Sequence, residues 1–135
     1  MANQRYTYAN ERFLSGQLNW LTDMFRVVLV DTRNYFVQID VHHTLADLPL
    51  AARVFTSNPL SGKTATGGVA RADDPTIGPV FGQDVTALVI YHDTGTENTS
   101  ELVCYLDTAT DLPFTPQGEV VRIHWDTGPN GIFKL

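Results

Sequence analysis

The stretch "DVTALVIYHDTG", residues 84–95, carries the strongest strand signal in the chain. Its run from Ala87 to Tyr91 is apolar at every position, which is typical of a strand buried on both faces. A second apolar run, "SELVCYLDT", occupies residues 100–108, and the polar connection "TGTENT" has the length of a hairpin loop. We therefore predict that the two runs pair as central antiparallel strands.

Shorter runs on both sides of this pair have the patterns of further strands. "FRVVLVDT" (25–32) is typical of a buried strand, and "YFVQIDV" (35–41) alternates as a half-buried strand does. In "EVVRIHWDT" (119–127) the alternation directs Ile123 and Trp125 inward. These runs and the turn residues between them predict an all-β fold, an antiparallel sandwich or jelly-roll-like domain. Additional short strands are expected within residues 53–60, 62–66, 69–72, 76–81 and 131–135.

The N-terminal region lacks this β pattern. Residues 1–12 are polar, contain two tyrosines and show no clear period, so we expect an extended N-terminal arm that becomes ordered against a neighbour. In "FLSGQLNWLTD" (13–23) the three leucines are spaced by four and three residues, which predicts a short amphipathic helix. A helical turn ending near Pro49 is expected within 44–53. Residues 13–135 are expected to form a single β domain.

Composition excludes several classes of protein. The 135 residues suit one domain, and an apolar fraction of 43% is too high for a disordered chain. The formal net charge is -6 and the nine Lys and Arg residues are scattered, so we expect no nucleic-acid partner. No apolar run approaches the roughly 18 to 20 residues that a membrane span needs, and no signal-peptide pattern is present. We therefore expect a soluble protein without a membrane partner or an export signal.

Two Asp-Thr-Gly triplets, at Asp93 and Asp126, match the triplet of aspartic proteases. Those enzymes need two carboxylates that share one proton, each in its own lobe, and the triplets here are too close in sequence for two lobes. Two further runs also end in Asp-Thr, at Asp31 and Asp107. We interpret all four as turns, in which the carboxylate accepts a backbone N–H two residues on. No catalytic residue is predicted.

Two other motifs have structural explanations. "SGKT" (61–64) resembles part of a phosphate-binding loop, but Ser57 stands where that motif needs a glycine and "ATGG" follows in place of a helix. Cys104 alternates with Leu102 and Leu106, which predicts a small core residue. Its alternative role as a nucleophile has no visible feature that would lower its pKa.

The histidines and paired aspartates leave a metal site as the less favoured alternative. A metal site would require His92 and His124 to meet across a sheet near Asp93 or Asp126, but no His-x-His or Cys pair accompanies them. The pair Asp73-Asp74 lacks the ligand spacing of a calcium loop, so solvated turn carboxylates are favoured. We predict neither a metal nor a cofactor.

Four segments of the chain carry a family resemblance: "LNWLTDMFRVVLVDTRNYFV", "LADLPLAARVFTS", "SGKT" and "ALVIYHDTGTENTSELVCYLDTATDLPFTPQGEVVRIHWDTGPNGIFKL". In their residues and in their order along the chain, these segments resemble a group of small structural proteins of tailed bacteriophages. The resemblance covers most of the chain from about residue 13. The resemblance implies a virion component without enzymatic activity, made in the host cytoplasm. Its leading form is a capsid decoration (cement) protein on the head, a homo-oligomer and usually a trimer. The alternative is a tail, fibre or baseplate component that binds host surface glycan or adapts tail parts.

Seven residues of the expected arm, helix and loops are predicted to contact other virion proteins, either the major capsid protein or tail proteins. In the alternative function, glycan recognition would use Trp20, Tyr91 or His92. The predicted interface consists of Arg5, Tyr6, Tyr8, Arg12, Trp20, Lys63 and Arg71.

Overall fold

The computed structural model describes residues 4–107 and 112–135. In this part of the chain the α-helix is α1 (Thr7–Leu14), and 3-10 turns lie at Leu45–Asp47, Leu50–Ala52, Thr66–Gly68 and Glu97–Thr99. The strands are β1 (Gln4–Arg5), β2 (Phe25–Val30), β3 (Arg53–Thr56), β4 (Val69–Ala70), β5 (Thr76–Ile77), β6 (Ala87–His92), β7 (Leu102–Leu106), β8 (Val121–Arg122) and β9 (Phe133–Lys134).

Five of these strands form one antiparallel sheet in the order β1-β7-β6-β2-β3, and the other four form two ribbons, β4–β9 and β5–β8. The predicted pairing of β6 with β7 is confirmed, with Leu88 opposite Leu106. On its other side β6 pairs with all of β2, from Phe25 opposite His92 to Val30 opposite Ala87. The chain is therefore mostly β, with antiparallel sheets and one short helix, as predicted.

The central strands are covered on both faces of the sheet. The side chains at 87–90 in β6 are all 0% exposed. On one face the Trp20 ring lies against Phe25, with centroids 4.8 Å apart, and on the other the Tyr35 ring lies 6.5 Å from that of Tyr105. This two-sided burial explains why the sequence of β6 is apolar without alternation. Each large apolar side chain buried there contributes about 1.5–3 kcal/mol.

The structure does not support an extended N-terminal arm over residues 1–12. Tyr6 is 0% exposed, its N–H donates to the Val103 carbonyl at 2.9 Å, and its hydroxyl lies 2.7 Å from that of Tyr35. Burial raises the pKa of Tyr6 far above its usual value, so this hydroxyl stays protonated. Residues 4–14 thus belong to the folded domain as β1 and α1.

The predicted helix over 13–23 is wrong, because the helix lies earlier in the chain. α1 ends at Leu14, and Gly16 then adopts a φ of +77°, a conformation that turns the chain out of the helix. Leu18 and Trp20 enter the core from the irregular segment that follows, whereas Leu14 is 87% exposed. The spacing of Leu14, Leu18 and Leu21 therefore does not correspond to one face of a helix.

The predicted strand over 35–41 is also wrong. A turn at Asp31, where the Asn34 N–H donates to the Asp31 carbonyl at 3.1 Å, reverses the chain just before this segment. The backbone then continues as a loop, and its Ile39 carbonyl accepts from the Thr7 N–H at 3.1 Å. Alternate side chains of the loop still pack inward, which produced the strand-like pattern.

The remaining segments follow the predictions in part. The helical turn expected near Pro49 is present as two 3-10 turns, one on each side of that proline. β3 lies within 53–60, whereas the run 62–66 contributes only a bridge between Thr64 and Arg71. Beyond β8 the predicted alternation is confirmed, since Ile123 and Trp125 are 5% and 9% exposed.

Candidate functional site

Both Asp-Thr-Gly triplets form turns. The Gly95 N–H donates to Asp93 Oδ1 at 2.8 Å, and the Gly128 N–H donates to Asp126 Oδ1 at 2.7 Å. Arg26 Nε donates to the other Asp93 oxygen at 2.6 Å. The Gly95 N–H and the Arg26 guanidinium hold the pKa of Asp93 below its usual value. The turn interpretation is confirmed for these two aspartates, whose carboxylates accept hydrogen bonds from different groups.

The same turn occurs at Asp31, the third Asp-Thr position. Its Oδ1 accepts the Arg33 N–H at 3.0 Å, and Arg33 Nη2 donates to Oδ2 at 2.8 Å. The Arg33 side chain lowers the pKa of this carboxyl, which is 0% exposed. Thr108 of the fourth position lies outside the described residues. Asp31 and Asp93 therefore begin the turns that directly follow the buried strands β2 and β6.

A network of polar contacts joins α1 to the sheet at Glu101, which is 3% exposed. Arg12 Nε donates to Glu101 Oε2 at 2.9 Å, and His92 Nδ1 lies 2.8 Å from Oε1. His92 Nε2 is 3.9 Å from Asp23 Oδ2. Because both oxygens of the buried carboxylate have partners, the network is satisfied and fixes α1 against β6 and β7.

The two histidines considered for a metal site have different partners. His92 contacts Glu101, whereas His124 Nδ1 lies 3.5 Å from Asp74 Oδ2. Asp74 Oδ1 also accepts the Trp125 N–H at 3.0 Å, so this carboxylate organises its loop. Across residues 4–107 and 112–135, no group of three His, Cys, Asp or Glu side chains is placed to hold a metal ion.

Cys104 is a core residue, as predicted from its alternation. It is 1% exposed and unpaired as a thiol, and burial raises its pKa to about 12. The thiol is therefore protonated at neutral pH and lacks the thiolate that nucleophilic chemistry needs.

Two of the seven predicted interface residues belong to the interior. Tyr6 and Trp20 are 0% and 6% exposed, and Trp20 Nε1 donates to the Arg71 carbonyl at 3.2 Å. Tyr91, considered for glycan recognition, is 5% exposed and is equally inaccessible for stacking. We predicted these rings to be at the surface because the sequence does not show which distant residues they contact in the fold.

The other five predicted interface residues keep part of their surface, and their interface role stays a prediction. Each already has an intramolecular contact. These contacts are Arg5 with Asn10, Tyr8 stacked on His43, Arg12 with Glu101, Lys63 over the Phe25 ring and Arg71 with the Gly128 carbonyl.

Sequence reasoning missed a group of exposed apolar side chains around the outer strand β3. Leu50, Phe55 and Phe81 are 74%, 37% and 68% exposed, and we call them the β3-edge patch. The loop that carries Phe81 reaches β3, because the α-carbon of Gly82 faces Val54 and Gln83 Nε2 donates to the Ala51 carbonyl at 2.6 Å. The signal available in the sequence was a phenylalanine inside the turn-rich "GPVFGQ".

A cleft of about 510 Å³ lies between the opposite edge of the sheet and the C-terminal segment. Its apolar floor includes Leu106 and Phe133, both largely buried. Its remaining lining includes the short strand β1 and the strand β9, each at the outer side of its own sheet. The residues that line it are Gln4, Arg5, Cys104, Leu106, Asp126 and residues 130–135.

No protein-family model matches the chain, and comparison with curated proteins gives no significantly similar sequence. The resemblance to phage structural proteins therefore rests on the segments quoted above and stays a prediction. Among the helices in the described ranges, none has the length and apolarity to cross a membrane.

Proposed function

We propose that this chain is a non-enzymatic structural protein of a tailed-phage virion, and that it acts as a decoration protein stabilising the head. The resemblance of the sequence segments to phage structural proteins supports the class. The observation that carries an assembly role is the β3-edge patch, because exposed clusters of large apolar side chains mark interaction sites.

The patch is suited to contact with other protein subunits. Most of Leu50 and of Phe81 lies at the surface, together with more than a third of Phe55. β3 is the outermost described strand on its side of the sheet, and an edge strand is where a partner strand can be added. Repetition of one such contact over a symmetric shell multiplies its strength.

The proposal has two further parts. The protein is a homo-oligomer, a trimer by the resemblance, with the major capsid protein as its partner. The ribbons β4–β9 and β5–β8 act as the second layer of a sandwich over the central sheet. The Phe133 ring of β9 contacts the Trp20 ring, with centroids 5.3 Å apart, and Trp20 in turn contacts Phe25 of β2. These contacts support a second layer because they connect a ribbon to the central sheet.

The test is to compare particles that carry the wild-type protein with particles carrying Phe81→Ser, with Leu14→Ser as the matched control. Leu14 is 87% exposed and lies at the end of α1, outside the patch. Cryo-electron microscopy should show the wild-type and Leu14→Ser proteins on the head at full occupancy and Phe81→Ser at reduced occupancy. Full occupancy of Phe81→Ser, or absence of the wild-type protein from particles, would overturn the proposal.

The same images separate the head from the alternative position in the tail, fibre or baseplate. Density at the tail would replace the decoration role with that of a tail component. The burial of Trp20 and Tyr91 does not favour glycan stacking by those residues.

A further inference from the structure

The cleft beside β1 and β9 is bordered by two open strand edges. Among the strands of residues 4–107 and 112–135, β1 pairs with β7 at the edge of the five-stranded sheet, and β9 has only β4 as its partner. An open edge offers N–H and C=O groups to an added strand. A cleft with such an edge on each side can bind an extended peptide by its main chain.

The hydrogen bonds of the neighbouring residues identify which peptide groups are available. The Tyr6 N–H donates to the Val103 carbonyl at 2.9 Å, so Tyr6 faces β7 and the alternation of an antiparallel ladder directs the Arg5 N–H and C=O away from it. The Leu135 N–H donates to the Gly68 carbonyl at 3.0 Å, which directs the peptide groups of Lys134 away from β4 in the same way.

Arg5 and Lys134 are also the basic side chains of the cleft lining. Arg5 Nε donates to Asn10 Oδ1 at 2.9 Å, which leaves the two terminal nitrogens of its guanidinium for a ligand. Asp126 is the acidic side chain among the lining residues, and its Oδ1 is already engaged by the Gly128 N–H. The two basic side chains outnumber this acidic one, so the side chains of the lining carry a net positive charge.

We propose that this cleft binds an extended segment of another protein chain, in which an acidic side chain is flanked by apolar ones. The acidic side chain pairs with Arg5 and Lys134, the apolar ones lie on the floor formed by Leu106 and Phe133, and the main chain bonds to the outward peptide groups. The volume of about 510 Å³ is within the range of about 300–1,000 Å³ that ligand sites have. The cleft is separate from the β3-edge patch and does not depend on the virion assignment.

Selection from a displayed library of random heptapeptides tests the proposal on the full chain. Peptides are selected on the wild-type protein, with counter-selection on Lys134→Pro. This variant loses the outward N–H and the charge, and proline is tolerated where an edge N–H faces outward. The selected sequences should share an acidic residue between apolar ones. Enriched peptides without that pattern, or no enrichment over Lys134→Pro, would overturn the proposal.

Fluorescence anisotropy with a selected peptide separates the charge from the main-chain contribution. The double variant Arg5→Gln, Lys134→Gln should bind at least about tenfold more weakly, since charge-assisted hydrogen bonds are lost. The control Arg122→Gln removes an exposed positive charge outside the cleft and should bind as the wild type does. Equal binding by the wild type, the double variant and Arg122→Gln would contradict the proposal. Occupation of the cleft by a second copy of this chain would contradict it too. Both outcomes are independent of where cryo-electron microscopy finds the protein on the particle.

Discussion

The central strands and the small ribbons are held together in different ways. β2 pairs with β6 over six residues and β6 with β7 over four, and the side chains of these strands are almost all buried. β4–β9 and β5–β8 pair over only two residues each and depend on individual polar contacts, such as Trp125 Nε1 donating to the Asp73 carbonyl at 3.0 Å. The stability of the central strands should therefore depend most on apolar side-chain volume. The stability of the ribbons should depend more on single hydrogen bonds and on individual glycines.

The largest effect is expected from Phe25→Ala in β2. Phe25 is 0% exposed and contacts the rings of Trp20 and His92, so truncation leaves a cavity that costs about 3–5 kcal/mol of unfolding free energy. Val120→Ala removes an exposed apolar side chain and should change stability by less than about 0.5 kcal/mol. Urea unfolding at neutral pH measures both. Similar losses in the two variants would remove the distinction between centre and surface.

A smaller effect is expected where a polar contact lies inside the centre. Glu101→Gln keeps the shape of the side chain but removes the charge that Arg12 and His92 contact, which should cost about 2 kcal/mol. Glu97→Gln is the matched control, because Glu97 also accepts from an arginine, Arg53 at 2.9 Å, but is half exposed. Urea unfolding should show that Glu97→Gln lowers the free energy of unfolding by less than about 0.5 kcal/mol. Equal costs would mean that burial of Glu101 adds nothing.

The periphery should respond most to Gly131→Ala, beside the β4–β9 ribbon. Gly131 has a φ of +54°, and an added Cβ would lie 2.6 Å from Val69 Cγ1. Gly67→Ala, at φ +69° in open space, shares the backbone strain without the clash. We expect about 1 kcal/mol for Gly67→Ala and up to about 1 kcal/mol more for Gly131→Ala. Amide hydrogen exchange should accelerate at Ala70 only in Gly131→Ala, and an unchanged rate there would contradict the steric explanation.

The smallest effect is expected from pH at the Asp93 turn. The pKa of Asp93 is lowered in the folded protein by the Gly95 N–H and Arg26, so its stabilisation is present above the unfolded pKa of about 3.9 and is lost as pH falls through the folded pKa. Asp93→Asn should remove this part of the acid sensitivity, less than about 1 kcal/mol for a partly exposed ion pair. Urea midpoints at about pH 7 and about pH 3 measure it. Identical pH dependence in both proteins would exclude the contribution.

The sequence was informative where burial alone determines structure. The β6–β7 pair was predicted because a strand covered on both faces needs an unbroken apolar run. Alternation at 35–41 was misleading, since a loop that runs over the core also buries every second side chain. The turns at Asp93 and Asp126 were predictable because they use a local bond to a residue two positions on.

Long-range contacts could not be predicted in this way. Tyr6 looked like part of a polar arm because its hydroxyl partner, Tyr35, lies far along the chain. The cleft is lined by Arg5 and Lys134, from opposite ends of the sequence, and its shape depends on how two separate sheets lie beside each other. The β3-edge patch could not be predicted either, because the exposure of Phe81 depends on which turn residues the folded chain covers.

The place of β1 in the sheet has a consequence for synthesis of the protein. β1 is made before its partner β7, which ends at Leu106, so the ribosome must add about one hundred residues before the two can pair. At roughly 5–20 residues per second this delay is on the order of ten seconds. During that time Tyr6 has no completed core to enter, so β1 can take its place in the sheet only after β7 has been made.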